Sequence, residues 1–101
     1  MTRLVPLLAG ALEAKHIWLF GSVARGEAME TSDADVLVEV GDRIAHDRFL
    51  DRMNLANAAR HAARLPFACD IVPLSSDEIA EKLQSGNPFF RDLWAEKDTL
   101  L

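Results

Sequence analysis

Hydrophobic and polar positions alternate along the chain with changing period. Leu4, Val5, Leu7, Leu8, Ala11 and Leu12 recur at the spacing of one helix face, and Glu13 and Lys15 follow at once, so a first helix that buries one side is expected. His16-Ile17-Trp18-Leu19-Phe20 is dense in strand formers and closes at Gly21, which predicts a first strand. A short helix is expected from Ser22 to about Gly26, then a loop over Ala28 to Ser32. From about Asp33 to Val40 the side chains Val36, Val38 and Val40 alternate with Leu37 and Glu39, the signature of a second strand, and Gly41-Asp42 signals a turn. A long helix is expected from about Ala45 to Leu65. Phe49, Met53, Ala56 and Ala63 are assigned to its buried side, and Arg48 with Arg52 and Arg60 with Arg64 to exposed rows four residues apart. Pro66 ends it, and a third strand follows over about Phe67 to Pro73. Ser75 and Glu78 have the spacing of a capping box, which predicts a helix from about Asp77 to Gln84 stopped by Gly86. Asn87-Pro88 reads as N-cap and first-turn proline of a last helix to about Lys97, with Phe89, Phe90, Leu93 and Trp94 toward the core.

Three strands interleaved with helices give an α/β or α+β domain. A length of 101 residues fits a single domain over residues 1–101. Eleven Lys and Arg against sixteen Asp and Glu give a net charge of −5, which argues against direct nucleic-acid binding by bulk electrostatics. Cys69 is the sole cysteine, so no internal disulfide forms and a reducing compartment is expected. No apolar run is long enough to span a bilayer. The start, Met1-Thr2-Arg3 before an apolar stretch, loosely imitates a signal peptide, but the helical spacing describes it better, and a cytoplasmic protein is expected.

Candidate chemistry is concentrated in Gly21-Ser22-Val23-Ala24-Arg25-Gly26 and Ser32-Asp33-Ala34-Asp35. Strand residues two apart share a face, so Asp33 and Asp35 project carboxylates side by side. Two unpaired carboxylates that close repel each other, and a divalent cation removes the conflict; oxygen-only ligands suit Mg²⁺ or Mn²⁺. Gly21-Ser22 sits where a strand turns into a helix, so free backbone N–H groups and the Ser22 hydroxyl can grip a phosphate, with Arg25 adding positive charge or bracing the loop. Asp70, amid the apolar strand residues Cys69, Ile71 and Val72, offers a third carboxylate if the third strand lies beside the second. Three carboxylates can hold two metals and activate an attacking hydroxyl. Each piece alone has a plainer explanation: a turn acid, a common Gly-Ser, an ion-paired strand-end aspartate. Their order on successive elements is what points to a site. His16, His46 and His61 lack zinc spacing, and no phosphate-loop or dinucleotide fingerprint is present.

The run Leu19-Phe20-Gly21-Ser22-Val23-Ala24-Arg25-Gly26-Glu27 followed by Asp33-Ala34-Asp35 resembles the minimal nucleotidyltransferase (MNT) family of the polymerase-beta-like superfamily. Asp70 matches that family's third acidic position, and Ala34 replaces its usual large aliphatic residue between the first two acids. The resemblance implies a nucleotidyltransferase fold, a small mixed three-stranded sheet flanked by helices. It implies transfer of a nucleoside monophosphate, AMP from ATP above all, to a hydroxyl with release of pyrophosphate. Asp33, Asp35 and Asp70 would be catalytic and bind Mg²⁺ or Mn²⁺, and Gly21, Ser22 and Arg25 would hold the triphosphate of the NTP. It also implies a small helical HEPN-type protein as partner, with the chain as antitoxin; homo- or hetero-oligomeric assembly stays open. The chain contains no tyrosine, so a tyrosine acceptor would belong to the partner. Two rival expectations stand beside this one: a non-catalytic antitoxin acting by contact, which an exposed apolar patch near Phe89, Phe90 and Trp94 would favour, and nucleotidyl transfer to a small-molecule hydroxyl.

Overall fold

The computed structural model describes residues 3–20, 34–65, 69–86 and 88–101; the side chains of Ala34, Phe89 and Leu93 are also left aside. The element order is α1 (Leu4–Leu12), β1 (His16–Phe20), β2 (Ala34–Glu39), α2 (Asp42–Ala45), α3 (Phe49–Ala63), β3 (Cys69–Leu74), α4 (Ser76–Gln84), α5 (Pro88–Glu96) and β4 (Asp98–Thr99). The sheet runs in the order β3-β2-β1-β4. β1 is antiparallel to both β2 and β4, whereas β2 and β3 are parallel and joined through α2 and α3. The mixed α/β class is as expected. The fourth strand is an addition: Asp98 and Thr99 pair with Leu19 and Trp18, and the Leu100 N–H donates to the Ile17 carbonyl at 2.8 Å. Two polar residues carry no hydrophobic alternation, so this strand left no trace in the pattern.

Alternation along each strand sorts side chains into two layers. Ile17, Leu19, Val36, Val38, Cys69 and Ile71 face α1 and α3 and form the larger core with Leu4, Leu8, Leu12, Ala56, Ala59 and Ala63. Trp18, Phe20, Leu37 and Leu74 face the other way and pack with Ile79, Leu83, Phe90 and Trp94 of α4 and α5. Trp94 holds this second layer together, edge-on to Trp18 with ring centroids 4.7 Å apart and stacked with Phe90 at 6.1 Å. Gly41 lets the turn after β2 close onto the end of α1: a Cβ there would lie 2.5 Å from the Glu13 carbonyl oxygen, and its N–H donates to Leu12. Among the described residues, no helix is long and apolar enough to cross a membrane.

Several boundaries differ from the sequence expectation. The long helix begins at Phe49, because Arg48 is extended (φ −64°, ψ 151°) and separates it from the four-residue α2. Its buried stripe is Arg52, Ala56, Ala59 and Ala63, not one starting from Phe49 and Met53. Phe49 is 45% exposed and lies against the Arg52 guanidinium at 5.4 Å, while Arg52 is only 5% exposed rather than solvated. One Arg52 nitrogen, Nη1, donates to the Pro73 carbonyl at 3.1 Å and to Glu78 Oε1 at 2.7 Å. Glu78 completes the expected capping box, accepting from the Ser75 N–H while Ser75 Oγ accepts from the Glu78 N–H. The Asn87 cap, the helix expected at Ser22 to Gly26 and its loop, and Pro66 to Ala68 lie outside the described residues.

Arg52 thus ties α3 to the end of β3 and to the start of α4. The Arg52 side chain beside it, with the Ser75 N–H and hydroxyl, lowers the Glu78 carboxyl to about 2 from the usual 4.5. A depressed carboxylate stabilises the fold fully above its unfolded value and loses that contribution as pH falls toward the folded value. Stability is therefore expected to drop between about pH 4.5 and pH 2, and Glu78→Gln is expected to flatten that part of the profile in urea titrations. Arg52→Ala strands the Pro73 carbonyl and Glu78 together; at neutral pH it is expected to cost about 2 kcal/mol of unfolding free energy by the same measurement.

Candidate active site

Asp35 is the second residue of β2 and Asp70 the second of β3. The parallel register sets them opposite each other, with Ala34 against Cys69 and Val36 against Ile71 on either side. Adjacent strands lie about 4.8 Å apart, so the two Cα atoms are near neighbours, and pleating sends both side chains to the α4/α5 face. Both residues are exposed. Phe20, the last residue of β1, pairs with Asp35 from the other side, so β1 ends beside the carboxylates. Of the residues expected at the site, Asp35 and Asp70 are therefore brought together. Gly21, Ser22, Arg25 and Asp33 lie outside the described residues.

The neighbours of Asp70 show why it faces outward. Cys69 and Ile71 are buried in the larger core, and Asp70 and Val72 alternate with them on the opposite face. Cys69 points into the larger core, away from the face that carries Asp35 and Asp70, and burial pushes its thiol up to about 11. Among the described residues, the side-chain donors on this face are the oxygens of Asp35 and Asp70. Two carboxylates directly opposite each other fit a hard divalent cation, which would be held by Asp35 and Asp70. Among the described residues no group of three or more His, Cys, Asp or Glu side chains converges.

A cavity of about 360 Å³ opens beside Asp35 between the sheet and the α4/α5 layer. Phe20, Leu37, Val72, Leu74 and Phe90 give it apolar walls, and Lys82 of α4 adds a cation. The sequence offered no clue to Lys82, which lies thirteen residues beyond Cys69 on a polar helix. Phe90 was assigned to the core, where it does pack, without its second role as a wall.

Comparison with known proteins agrees with this architecture. Residues 3–89 match the family model for the polymerase beta nucleotidyltransferase domain, and the chain belongs to that family. It is similar to the crystal structure of a candidate nucleotidyltransferase from Sulfolobus solfataricus, with 25% sequence identity and a TM-score of 0.57. That match covers 77% of this chain and 66% of the Sulfolobus protein, so the chain spans just under two thirds of its length. No curated protein matches the sequence.

The carboxylate pair carries a direct test. Asp70→Asn removes one of two like charges on adjacent strands and is expected to leave metal-free stability unchanged or to raise it by about 0.2–1 kcal/mol. Cation binding to the native state raises the unfolding temperature by mass action. In thermal unfolding with and without MgCl₂, the wild type is expected to shift upward and Asp70→Asn to lose the shift. An equal shift in both proteins would place the cation elsewhere.

Proposed function

We propose that this protein is a divalent-metal-dependent nucleotidyltransferase that moves AMP from ATP to a hydroxyl on a partner protein. The observation that carries the reading is the Asp35–Asp70 pair in register at an exposed sheet edge, in a chain of the polymerase beta nucleotidyltransferase family. In this reading Asp33 joins the pair, and the three acids bind Mg²⁺ or Mn²⁺. Gly21, Ser22 and Arg25 hold the triphosphate. A bound cation neutralises phosphate charge and orients the α-phosphate. The protein's own part is positioning: Asp35 and Asp70 flank the acceptor oxygen, and Asp70 accepts its proton as that oxygen bonds to the α-phosphorus, the bond to the bridging oxygen breaks and pyrophosphate leaves with the electron pair.

The partner in this proposal is a small helical protein of the HEPN type, with the chain acting as its antitoxin in the cytoplasm. The chain has no tyrosine of its own, so a tyrosine acceptor lies on the partner. The contact-only antitoxin draws little from the described surface, because Phe90 and Trp94 are half-buried against the second core layer rather than forming an open patch.

The test is transfer of labelled AMP from ATP to a co-purified partner in MgCl₂. The wild type is expected to label the partner, and Asp33→Ala combined with Asp35→Ala to lose at least about a hundredfold in rate, the scale of losing a preorganised charge contact. Omission of the divalent cation is expected to have the same effect. Partner that is bound and inhibited but never labelled, with any of the four NTPs, would replace this reading with the contact antitoxin.

A further inference from the structure

Charge is distributed along this chain in blocks. Residues 1–12 and 52–69 contain no Asp or Glu, so all sixteen acids lie elsewhere. The same two stretches carry Arg3, Arg52, Arg60 and Arg64, and α1 and most of α3 are drawn from them. Arg52 is committed to Pro73 and Glu78. The other three meet at one end of the helical layer: Arg3 Nη2 donates to the Arg64 carbonyl at 3.5 Å, and Arg60 lies one turn before Arg64. The start of α1 thus lies beside the end of α3, and the two helices cover the sheet face opposite Asp35 and Asp70. Among the described residues, Arg3, Arg60 and Arg64 form no ion pair. The dipole of α3 accounts for a cation in its last turn. It does not account for Arg3, which belongs to the other helix, or for the absence of acids from both stretches.

Arg64 adds a second sign. Its backbone is left-handed (φ 50°, ψ 54°), a conformation that glycine adopts freely and arginine does not. Glu13 ends α1 in the same conformation, but its carboxylate is held by Arg43 at 2.9 Å. Arg64 carries the same strain with no ion pair among the described residues to offset it. The surface beside the three cations is small and aliphatic. Pro6, Leu7 and Gly10 of α1 and Ala58 and Ala62 of α3 are exposed. A Cβ on Gly10 would meet nothing within 4 Å, so no contact among the described residues requires glycine in the middle of this helix, where it is the least favourable residue after proline. A backbone approaching closely from outside would use it.

We propose that the outer face of α1 and α3, at the end marked by Arg3, Arg60 and Arg64, docks an acidic helix of a partner protein. Guanidinium forks match individual carboxylates, and the methyl and glycine surface beside them takes aliphatic side chains at close range. A nucleic acid is matched less well, because the carbonyl end of α3 repels phosphate and the net charge of −5 opposes a polyanion. A helix docked here lies across the sheet from Asp35 and Asp70 and leaves them open. The inference goes beyond the transferase reading and does not depend on it.

The probes are a helical peptide of Glu, Leu and Ala with its Glu residues four apart, the same peptide with Lys for Glu, and a single-stranded oligoadenylate. Each is titrated into the isotope-labelled full chain, without ATP or metal, and followed by backbone amide NMR shifts. The acidic peptide is expected to shift α1 and the second half of α3, and the Lys peptide to leave both unmoved. Arg3→Glu combined with Arg60→Glu and Arg64→Glu is expected to weaken the acidic peptide at least about tenfold. Thermal unfolding checks that this variant folds, and Gln at the same three positions serves in its place if it does not. Equal binding of the acidic peptide to wild type and variant, equal binding of the Lys peptide, shifts confined to other elements, or no binding at millimolar peptide would overturn the proposal. Tighter binding of the oligoadenylate, lost with the same arginines, would overturn it in favour of a nucleic acid. With neither ATP nor acceptor present, none of these outcomes bears on the transferase reading, which the AMP-transfer assay decides separately.

Discussion

The parallel pairing of β2 with β3 decides what this protein can do. Asp35 faces Asp70 only while Val36 faces Ile71 and Val38 faces Pro73. A slip of one residue would turn Asp70 into the layer beneath α1 and α3 and bring Ile71 out to solvent. The burial of Cys69 and Ile71 against Ala56, Ala59 and Ala63 therefore holds the carboxylate pair in place as firmly as it holds the core. Parallel strands need a crossover between them, and α3 supplies it while covering the same face. The packing that makes the sheet stable and the register that makes the acids adjacent are one constraint.

Arg52 extends that constraint to the other side of the sheet. Its Nη1 bridges the Pro73 carbonyl, near the end of β3, and Glu78, in the first turn of α4. Glu78 in turn caps the helix whose Ile79 and Leu83 pack with the second layer and whose Lys82 lines the cavity. A buried guanidinium of this kind is costly to desolvate, and its Nε has no partner among the described residues. What it returns is geometry. Three elements are referenced to one side chain, so the roof of the cavity and the strand that carries Asp70 keep a common frame.

The parts of this structure that were legible in the sequence are those where local pattern and tertiary role agree. β1 at His16–Phe20 and the α4 capping box follow from strand formers and from Ser75 with Glu78, and both are where the pattern puts them. The alternation around Val36 and Val38 defines β2, and with it the outward direction of Asp35. The adjacency of Asp70 needed the strand order, which no local pattern states. Arg52 departs from the expectation because hydrophobicity is a poor guide to phase on α3. Phe49 and Met53 are apolar, yet the buried row runs through Arg52, Ala56, Ala59 and Ala63 at intervals of four, three and four. The alanines alone carry that phase, and extending it one turn back arrives at the arginine. β4 escaped notice for a different reason: two polar residues pair by backbone alone, and backbone pairing leaves no side-chain signature.

The two faces of the sheet divide the protein's tasks unequally. The α1/α3 face is covered by a continuous apolar layer in which Leu4, Leu8, Leu12, Ile17, Val36 and Val38 are almost wholly buried. Among the described residues, the α4/α5 face is covered where Trp18, Phe20, Leu37 and Leu74 meet Ile79, Phe90 and Trp94. Beyond that cover, toward the Asp35 and Asp70 end, the same face carries exposed carboxylates and the half-exposed Val72. Like charges on neighbouring strands and an apolar wall left partly open are both destabilising in isolation. The opposite face packs without them, so the fold tolerates both. At this end of the sheet the carboxylate pair and the apolar wall adjoin, and one residue, Asp35, belongs to both.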